Sequence, residues 1–168
     1  LKKDTQKTKK RLNRLISTLF FKEGSFAMYS LFYQRYISDC LMYSYYLADL
    51  KGEKMLSSEN LATLKDSTNF LCQFIMSPDG STPNLGANDG TNPFNIFAEN
   101  YNDFRESVSL AKLILEKSEL SDSPFSDCLA KLLNIQYQNT SSIKQVQFDE
   151  IYFRQFGVYI RRDNNYSF

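Results

Sequence analysis

The sequence predicts a mainly α-helical fold of five helices in antiparallel succession, followed by a short β segment. Apolar residues recur at spacings of three and four over most of the first 136 residues, which is typical of amphipathic helices. One long loop rich in Gly, Asn and Asp interrupts the helices near the middle of the chain. After residue 145, alternating β-branched and aromatic residues favour strands. The helix-loop-helix period is close to that of a stacked array of helical hairpins.

The first two helices are predicted at about residues 4–20 and 27–50. On the first, Lys and Arg lie opposite a stripe of Leu and Ile, which indicates either a solvated helix face or a patch for nucleic acid or lipid. The second is apolar on most faces, so we expect it to pack on more than one side, as an inner helix of a bundle or toroid does. Its helical stripe consists of Tyr29, Phe32, Tyr33, Tyr36, Ile37, Cys40, Tyr43 and Leu47. Several phenols on one helix often line a wet cleft, since each hydroxyl needs a partner.

The remaining helices begin at recognisable capping residues. Ser57 or Ser58 is the predicted N-cap of the third helix. The fourth is expected at about residues 103–120. Ser123, which a proline follows, is the predicted N-cap of the fifth.

The chain ends in predicted strands that begin at Val146. A polar linker at residues 138–142 precedes them, and a turn at residues 163–165 leads into a second strand at Tyr166. One or two strands are not stable alone. We therefore expect the β segment to be the start of a further domain.

The predicted division is a helical segment at residues 1–140 and a linker with the first strands of a β domain at residues 141–168. Leu1 is not a methionine, and the residues that follow it do not resemble a signal peptide. The sequence therefore looks like the interior of a longer chain.

Composition excludes several classes of site. With 168 residues, 42% hydrophobic and 23% charged, the chain suits one globular domain or part of a larger one. A net charge of +1 gives no global field that would attract nucleic acid.

The chain has no His, so it cannot complete a catalytic triad or a His-metal site. Cys40, Cys72 and Cys128 have no CxxC spacing and are interpreted as buried free thiols. No apolar stretch approaches the length of a membrane span, and we predict no cofactor and no metal.

The loop at residues 78–93 is the strongest candidate for a site. It contains three of the six glycines and three of the four prolines, together with Asp-Gly, Asn-Asp-Gly and Asn-Pro turn formers. A polar loop of this length between apolar segments is a solvated connector or a functional loop.

Three segments together resemble the heparinase II/III-like polysaccharide lyases. Residues 23–35 are similar to that family's Asp-Gly-Ser-aromatic … Ser-x-x-Tyr-His-Arg stretch. Residues 78–90 resemble its Pro-Asp-Gly … Pro-Asn-x-Gly-x-x-Asp-Gly loop. Residues 156–162 resemble the Gly-aromatic-x-x-Arg strand that opens its β-sandwich. The order and spacing of the three segments cover nearly the whole chain.

The resemblance implies the late part of an (α/α) toroid of antiparallel helices that runs into the first strands of a β-sandwich. It implies β-elimination on an acidic, uronic-acid-containing polysaccharide, and a periplasmic or cell-surface location. Tyr33 matches the family's catalytic tyrosine, which acts as base or acid. The predicted substrate-binding residues are Arg35, Asn84, Asn88 and Asp89.

Both groups of candidate residues have an alternative interpretation. Tyr33 is a catalytic phenol or a core aromatic residue of an apolar helix. As a base it needs a nearby positive charge, for which Arg35 is the candidate, although residues two apart on a helix point in different directions. Asn84, Asn88 and Asp89 contact sugar hydroxyls or form a network of Asx turns.

The sequence also departs from the family pattern. Gln34 occupies the position of a usual His, Met28 that of a frequent Glu or Gln, and Glu23 that of a common Asp. The family's upstream Asn-His helix and its β-domain His have no counterpart within these residues. The first hypothesis is therefore part of a polysaccharide lyase, with an incomplete active site in this chain. The alternatives are a non-catalytic glycan-binding or scaffolding domain and a plain helical interaction module.

Overall fold

The computed structural model describes residues 2–76, 79–92, 94–97, 100–120, 123–137, 150–163 and 166–167. The protein is mainly α-helical across these residues, as the sequence predicts. The elements of the described part are α1 (Lys2–Leu19), α2 (Leu31–Leu50), α3 (Ser58–Cys72), α4 (Arg105–Glu116), α5 (Ser126–Leu132), β1 (Glu150–Phe153), β2 (Val158–Asp163) and β3 (Tyr166–Ser167). The predicted linker at residues 138–142, the predicted strand start at Val146 and the loop ends Pro78 and Pro93 lie outside the described residues.

Helix α4 has the central position in the helical part. It packs against α2, α3 and α5, while α1 packs against α3. Its buried residues cover most of its circumference and include Val108, Leu110, Ala111, Leu113 and Ile114. Helix α2 was expected to be packed on most sides, but its C-terminal end exposes Leu47 (57%) and Leu50 (65%). That expectation is therefore wrong for the second half of α2.

The buried face of α2 differs from the apolar stripe that the sequence predicts. The helix begins at Leu31 rather than near Ala27, because Tyr29 adopts a left-handed φ of 52° and the hydroxyl of Ser30 caps the helix by accepting from the N–H of Tyr33. The predicted stripe residue Tyr36 is 37% exposed. The residues that α2 buries are Leu31, Phe32, Gln34, Arg35, Ser38, Asp39, Leu41 and Met42. Polar and charged side chains thus occupy part of the buried face of α2, where the sequence predicts aromatic residues.

The other capping predictions have mixed outcomes. Ser57 is the N-cap of α3 and accepts from the N–H of Asn60, which confirms that prediction. Ser123 accepts from the N–H of Phe125, but α5 begins only after Phe125, so Ser123 is not its N-cap. Helix α4 ends earlier than expected because Lys117 adopts a left-handed conformation. The three thiols are free, as predicted, but Cys72 is buried, Cys40 is partly buried and Cys128 is exposed. The prediction of burial is therefore wrong for Cys128 and holds in full only for Cys72.

The strands form an antiparallel sheet in the order β1-β2-β3. Strand β3 begins at Tyr166, as the sequence predicts, whereas the β-like stretch before it is divided by a turn into β1 and β2. The inner side of the β1–β2 hairpin packs on the end of α3, where the rings of Phe70 and Phe153 lie 4.5 Å apart. The carboxylate of Glu23 accepts from the N–H groups of Gln155 (3.0 Å) and Phe156 (2.7 Å) in the hairpin turn. The hairpin is therefore fixed to the helical part through the segment that joins α1 to α2.

That joining segment is itself fixed by Gln34, whose side chain is fully buried. The amide nitrogen of Gln34 donates to the carbonyl of Gly24 (2.8 Å) and to the hydroxyl of Ser67 (2.8 Å). Its amide oxygen accepts from the N–H of Phe26 (3.1 Å). Gly24 has a φ of +88°, and a Cβ on it would lie 2.2 Å from the carbonyl oxygen of Asp66. The turn therefore requires glycine both for its conformation and for its close approach to α3.

We predict that Gly24→Ala destabilises the protein by about 2–5 kcal/mol, since it adds left-handed strain and a backbone clash. Gly52→Ala is the matched control, because Gly52 has a φ of +67° but its Cβ would meet nothing within 4 Å. The control is expected to lose only the conformational part, about 1–2 kcal/mol. Thermal and urea unfolding followed by circular dichroism measure both. Equal losses for the two variants would show that α3 does not confine the turn.

Candidate functional site

The loop at residues 79–92 lies over the start of α2. The N–H of Leu31 donates to the carbonyl of Leu85 (3.1 Å), and the hydroxyl of Ser30 donates to the carbonyl of Ala87 (2.6 Å). Gly86 has a φ of +83°, and a Cβ there would lie 2.1 Å from the carbonyl oxygen of Tyr29. Loop and helix start are thus held in contact by three consecutive loop residues.

The beginning of the loop is anchored to the start of α4. The guanidinium of Arg105 donates to the carbonyl of Asp79 (2.7 Å) and makes a salt bridge to the carboxylate of Asp103 (2.7 Å). A Cβ on Gly80 would lie 2.1 Å from the Nε atom of Arg105. The N–H of Ser81 donates to the carboxylate of Asp79 (2.9 Å), which closes an Asx turn. The loop is therefore anchored at two separate places.

Asn84, Asn88 and Asp89 form a network of Asx turns, which is the alternative interpretation that the sequence offers for these predicted sugar-binding residues. The amide nitrogen of Asn88 donates to the amide oxygen of Asn84 (3.0 Å), and the amide oxygen of Asn88 accepts from the N–H of Gly90 (2.8 Å). The carboxylate of Asp89 accepts from the N–H of Thr91 (3.0 Å). Asn84 and Asp89 are exposed all the same. These bonds therefore set the direction of the polar side chains while they remain at the surface.

Tyr33 belongs to the same cluster. Its ring is half-buried, and its hydroxyl donates to the carboxylate of Asp89 (3.3 Å). The negative charge of Asp89 raises the pKa of Tyr33 above its ordinary value of 10.0. Hydrogen bonds from Thr91 lower the pKa of Asp89. The pair is therefore a neutral phenol beside an ionised carboxylate at neutral pH, an arrangement that opposes the phenolate form that a Tyr33 base would need.

Arg35 lies elsewhere. It is 1% exposed, and its guanidinium carbon lies 4.6 Å from the ring centre of Phe104 and 5.4 Å from that of Phe32. Its Nη1 atom donates to the carbonyl of Tyr101. The structure therefore brings Tyr33, Asn84, Asn88 and Asp89 together at the surface and places Arg35 in the core between α2 and α4. The positive charge that a Tyr33 base requires is not supplied from that position.

A buried charged cluster, consisting of Arg35, Asp39 and Glu106, lies at the contact of α2 with α4. Asp39 is 3% exposed, and its carboxylate accepts from the hydroxyl of Ser107 (2.9 Å). Burial raises the pKa of Asp39 from 3.8 to about 7, and Glu106 adds to the rise while Ser107 and Arg35 oppose it. The carboxylate of Glu106 accepts from two backbone N–H groups of the loop segment at residues 96–97 (2.9 and 3.1 Å).

The apolar stripe of α2 does not predict this cluster, although the sequence carries a signal for it. Gln34, Arg35, Ser38 and Asp39 fall on one face of α2 at helical spacing, opposite the exposed Tyr36. Reading only the apolar residues gave the wrong buried face. Polar residues at that spacing on an otherwise apolar helix indicate a buried polar interface.

A cleft of about 220 Å³ lies beneath the candidate site, between the loop, the end of α3 and β2. Pro83 and Leu85, the two neighbours of Asn84, form part of its wall, and Phe74 and Ile160 lie among the other lining residues. The exposed polar residues thus adjoin a cleft whose lining is mainly apolar. Within the described residues, no group of three or more His, Cys, Asp or Glu side chains is placed to hold a metal ion.

Comparison of the chain with protein-family models, with curated proteins and with solved structures returned no match in any of the three. No helix in the described part of the chain combines the length and apolar character that crossing a membrane requires. A function is therefore inferred from the residues and their geometry.

We predict that Asp39 makes the protein less stable as the pH rises from about 4 to about 7. The pKa of the folded carboxyl lies above its ordinary value, so the folded state binds the proton more tightly. The contribution of that proton to stability is complete below pH 3.8 and is lost as the pH rises through about 7. Asp39→Asn stays neutral at every pH and is therefore expected to gain stability relative to the wild type as the pH rises from 4 to 8.

Urea unfolding of both proteins between pH 4 and pH 8 measures this effect as the difference between their free energies of unfolding. Asp49→Asn, which removes an exposed carboxylate from the same helix, is the control and should give a constant difference. A difference for Asp39→Asn that does not change with pH would contradict the assignment.

Proposed function

We propose that this chain is the glycan-contacting helical part of a polysaccharide lyase-like protein and binds an acidic, uronic-acid-containing polysaccharide along the loop at residues 79–92. The observation that carries the proposal is the exposed polar cluster of Tyr33, Asn84, Asn88 and Asp89, held in position by backbone contacts to the start of α2. Amide, carboxylate and phenol groups are the hydrogen-bonding partners that sugar hydroxyls need. A preformed cluster also lowers the entropy lost on binding.

The three segments that resemble the heparinase II/III-like lyases also meet in the fold. Ser30, in the first segment, donates to Ala87 in the second (2.6 Å). Glu23, also in the first, accepts from Phe156 in the third (2.7 Å). Contact between segments far apart in sequence supports a common origin for the three resemblances. In this proposal α1–α5 are part of an (α/α) toroid, and the hairpin begins a β-sandwich.

We predict that Asn88→Ala weakens binding of a uronic-acid polysaccharide about two- to tenfold, the effect of losing one or two hydrogen bonds. Asn69→Ala, an exposed Asn on α3, is the control and should bind as the wild type does. Titration calorimetry with the polysaccharide and with its carboxyl-reduced, neutral form measures affinity and the share that the acid groups contribute.

Loop placement is tested in the same titration with two glycine variants. Gly86→Ala forces the loop away from Tyr29. Gly90→Ala is the control, because a Cβ on Gly90 meets nothing within 4 Å. Weaker binding only for Gly86→Ala is the expected result. A wild-type protein that binds none of the uronic-acid polysaccharides, or equal binding by all these variants, would overturn the proposal.

A second candidate function is β-elimination, with Tyr33 as the proton donor. The position of Tyr33 favours it, because its protonated phenol lies in the same cluster as the polar groups that would bind the sugar. In that step a base removes the C5 proton, the C5 electron pair forms the C4=C5 double bond, and the C4–O bond breaks. The departing oxygen takes the proton of Tyr33. Asp89 orients the phenol through its hydrogen bond.

For this candidate we predict that Tyr33→Phe lowers kcat about a hundredfold or more, the usual share of a general acid. The assay uses the full-length protein that contains this chain and follows the ultraviolet absorbance of the unsaturated product. Tyr36→Phe, one helical turn further along and 37% exposed, is the control and should keep full activity. Turnover by Tyr33→Phe at the wild-type rate would exclude the role, and so would the absence of product with every substrate.

A further inference from the structure

Tyr29 has an unusual backbone conformation for an aromatic residue. Its φ is 52°, in the left-handed region that glycine adopts without strain. The other non-glycine residues with positive φ in the described part of the chain are Lys117 and Asn134. Lys117 is the C-cap of α4, and Asn134 directly follows the C-cap of α5. Those two are explained by helix termination, whereas Tyr29 precedes α2.

The ring of Tyr29 is half in solvent. Its exposed fraction is 50%, so burial in the core does not account for an aromatic residue at this position. The rings of Phe21 and Phe156 lie 6.0 Å and 6.2 Å from it, centre to centre, with the planes tilted by 38° and 35°. The ring is therefore supported by two aromatic neighbours while half of its surface remains open.

Tyr29 also adjoins the polar cluster. Its carbonyl oxygen lies so close to Gly86 that a Cβ there would be 2.1 Å away, and the next residue, Ser30, bonds to Ala87. Asn88 and Asp89 follow directly along the loop. The backbone of Tyr29, which carries the half-exposed ring, thus adjoins the loop segment that leads directly into the oriented polar residues.

We propose that Tyr29 is a stacking platform for a pyranose ring of the polysaccharide, beside the polar cluster that binds its hydroxyls. This inference rests on the proposed function and adds to it a residue that contacts the sugar. The face of an aromatic ring is electron-rich and attracts the weakly positive C–H groups of a pyranose face.

The test distinguishes the effect of losing the Tyr29 ring from the effect of losing the left-handed backbone conformation. Asn tolerates left-handed φ but has no ring, so Tyr29→Asn should keep the fold, which circular dichroism checks, and bind the uronic-acid polysaccharide about five- to tenfold more weakly. Tyr29→Phe keeps the ring and should bind as the wild type does. Tyr152→Asn, which removes a tyrosine of similar exposure (61%) from the hairpin, is the matched control and should also bind normally.

A measurement on the unmodified protein avoids any question of misfolded variants. Nitration of tyrosines by tetranitromethane, mapped by mass spectrometry, should slow at Tyr29 and not at Tyr152 when the polysaccharide is saturating. Wild-type affinity in Tyr29→Asn, or equal nitration of Tyr29 with and without the polysaccharide, would overturn the stacking role of Tyr29. The proposed binding site at the loop would still stand if Asn88→Ala weakened binding. A wild-type protein that binds none of the polysaccharides would overturn both.

Discussion

The buried amide of Gln34 is the contact on which both the loop site and the hairpin depend. Its three hydrogen bonds hold the turn between α1 and α2 against α3. One end of that turn presents Glu23 to the hairpin, and the other presents Tyr29 and Ser30 to the loop. Because the amide is fully buried, loss of any of these bonds leaves an unsatisfied polar group in the core. A single side chain thereby fixes the relative position of two regions far apart in sequence.

The buried charged cluster lies at the contact of α2 with α4 and not at the loop site. The guanidinium of Arg35 is enclosed by Phe32 and Phe104 and bonds to the backbone at Tyr101, so it stabilises the packing of α2 on α4. It does not reach the surface where Asp89 lies. The charge of the polar cluster is the negative one of Asp89, so in the proposed function the cluster contributes hydrogen bonds rather than ion pairs to an acidic polysaccharide.

The sequence predicted the mainly helical class, the five helices and the β segment, because apolar periodicity and the capping serine at position 57 are local signals. It placed the loop correctly between the third and fourth helices. The buried face of α2 could not be predicted from its apolar stripe, since Gln34 and Asp39 become buried only through partners on other elements, Ser67 on α3 and Ser107 on α4. The contact of Tyr33 with Asp89 spans 56 positions, a distance over which no local pattern carries information.

That same contact determines which proton transfer the cluster favours. An ionised Asp89 disfavours a phenolate at Tyr33, so the proposed elimination requires a different group to remove the C5 proton. It also makes the phenolate short-lived once the proton has passed to the departing oxygen, because the like charge of Asp89 opposes it. Reprotonation of Tyr33 is then favourable at neutral pH, which returns the donor to its starting state for the next turnover. In the proposed step the negative neighbour thus keeps Tyr33 protonated between turnovers, and the departing C4 oxygen can take its proton because an alkoxide is more basic than a phenolate.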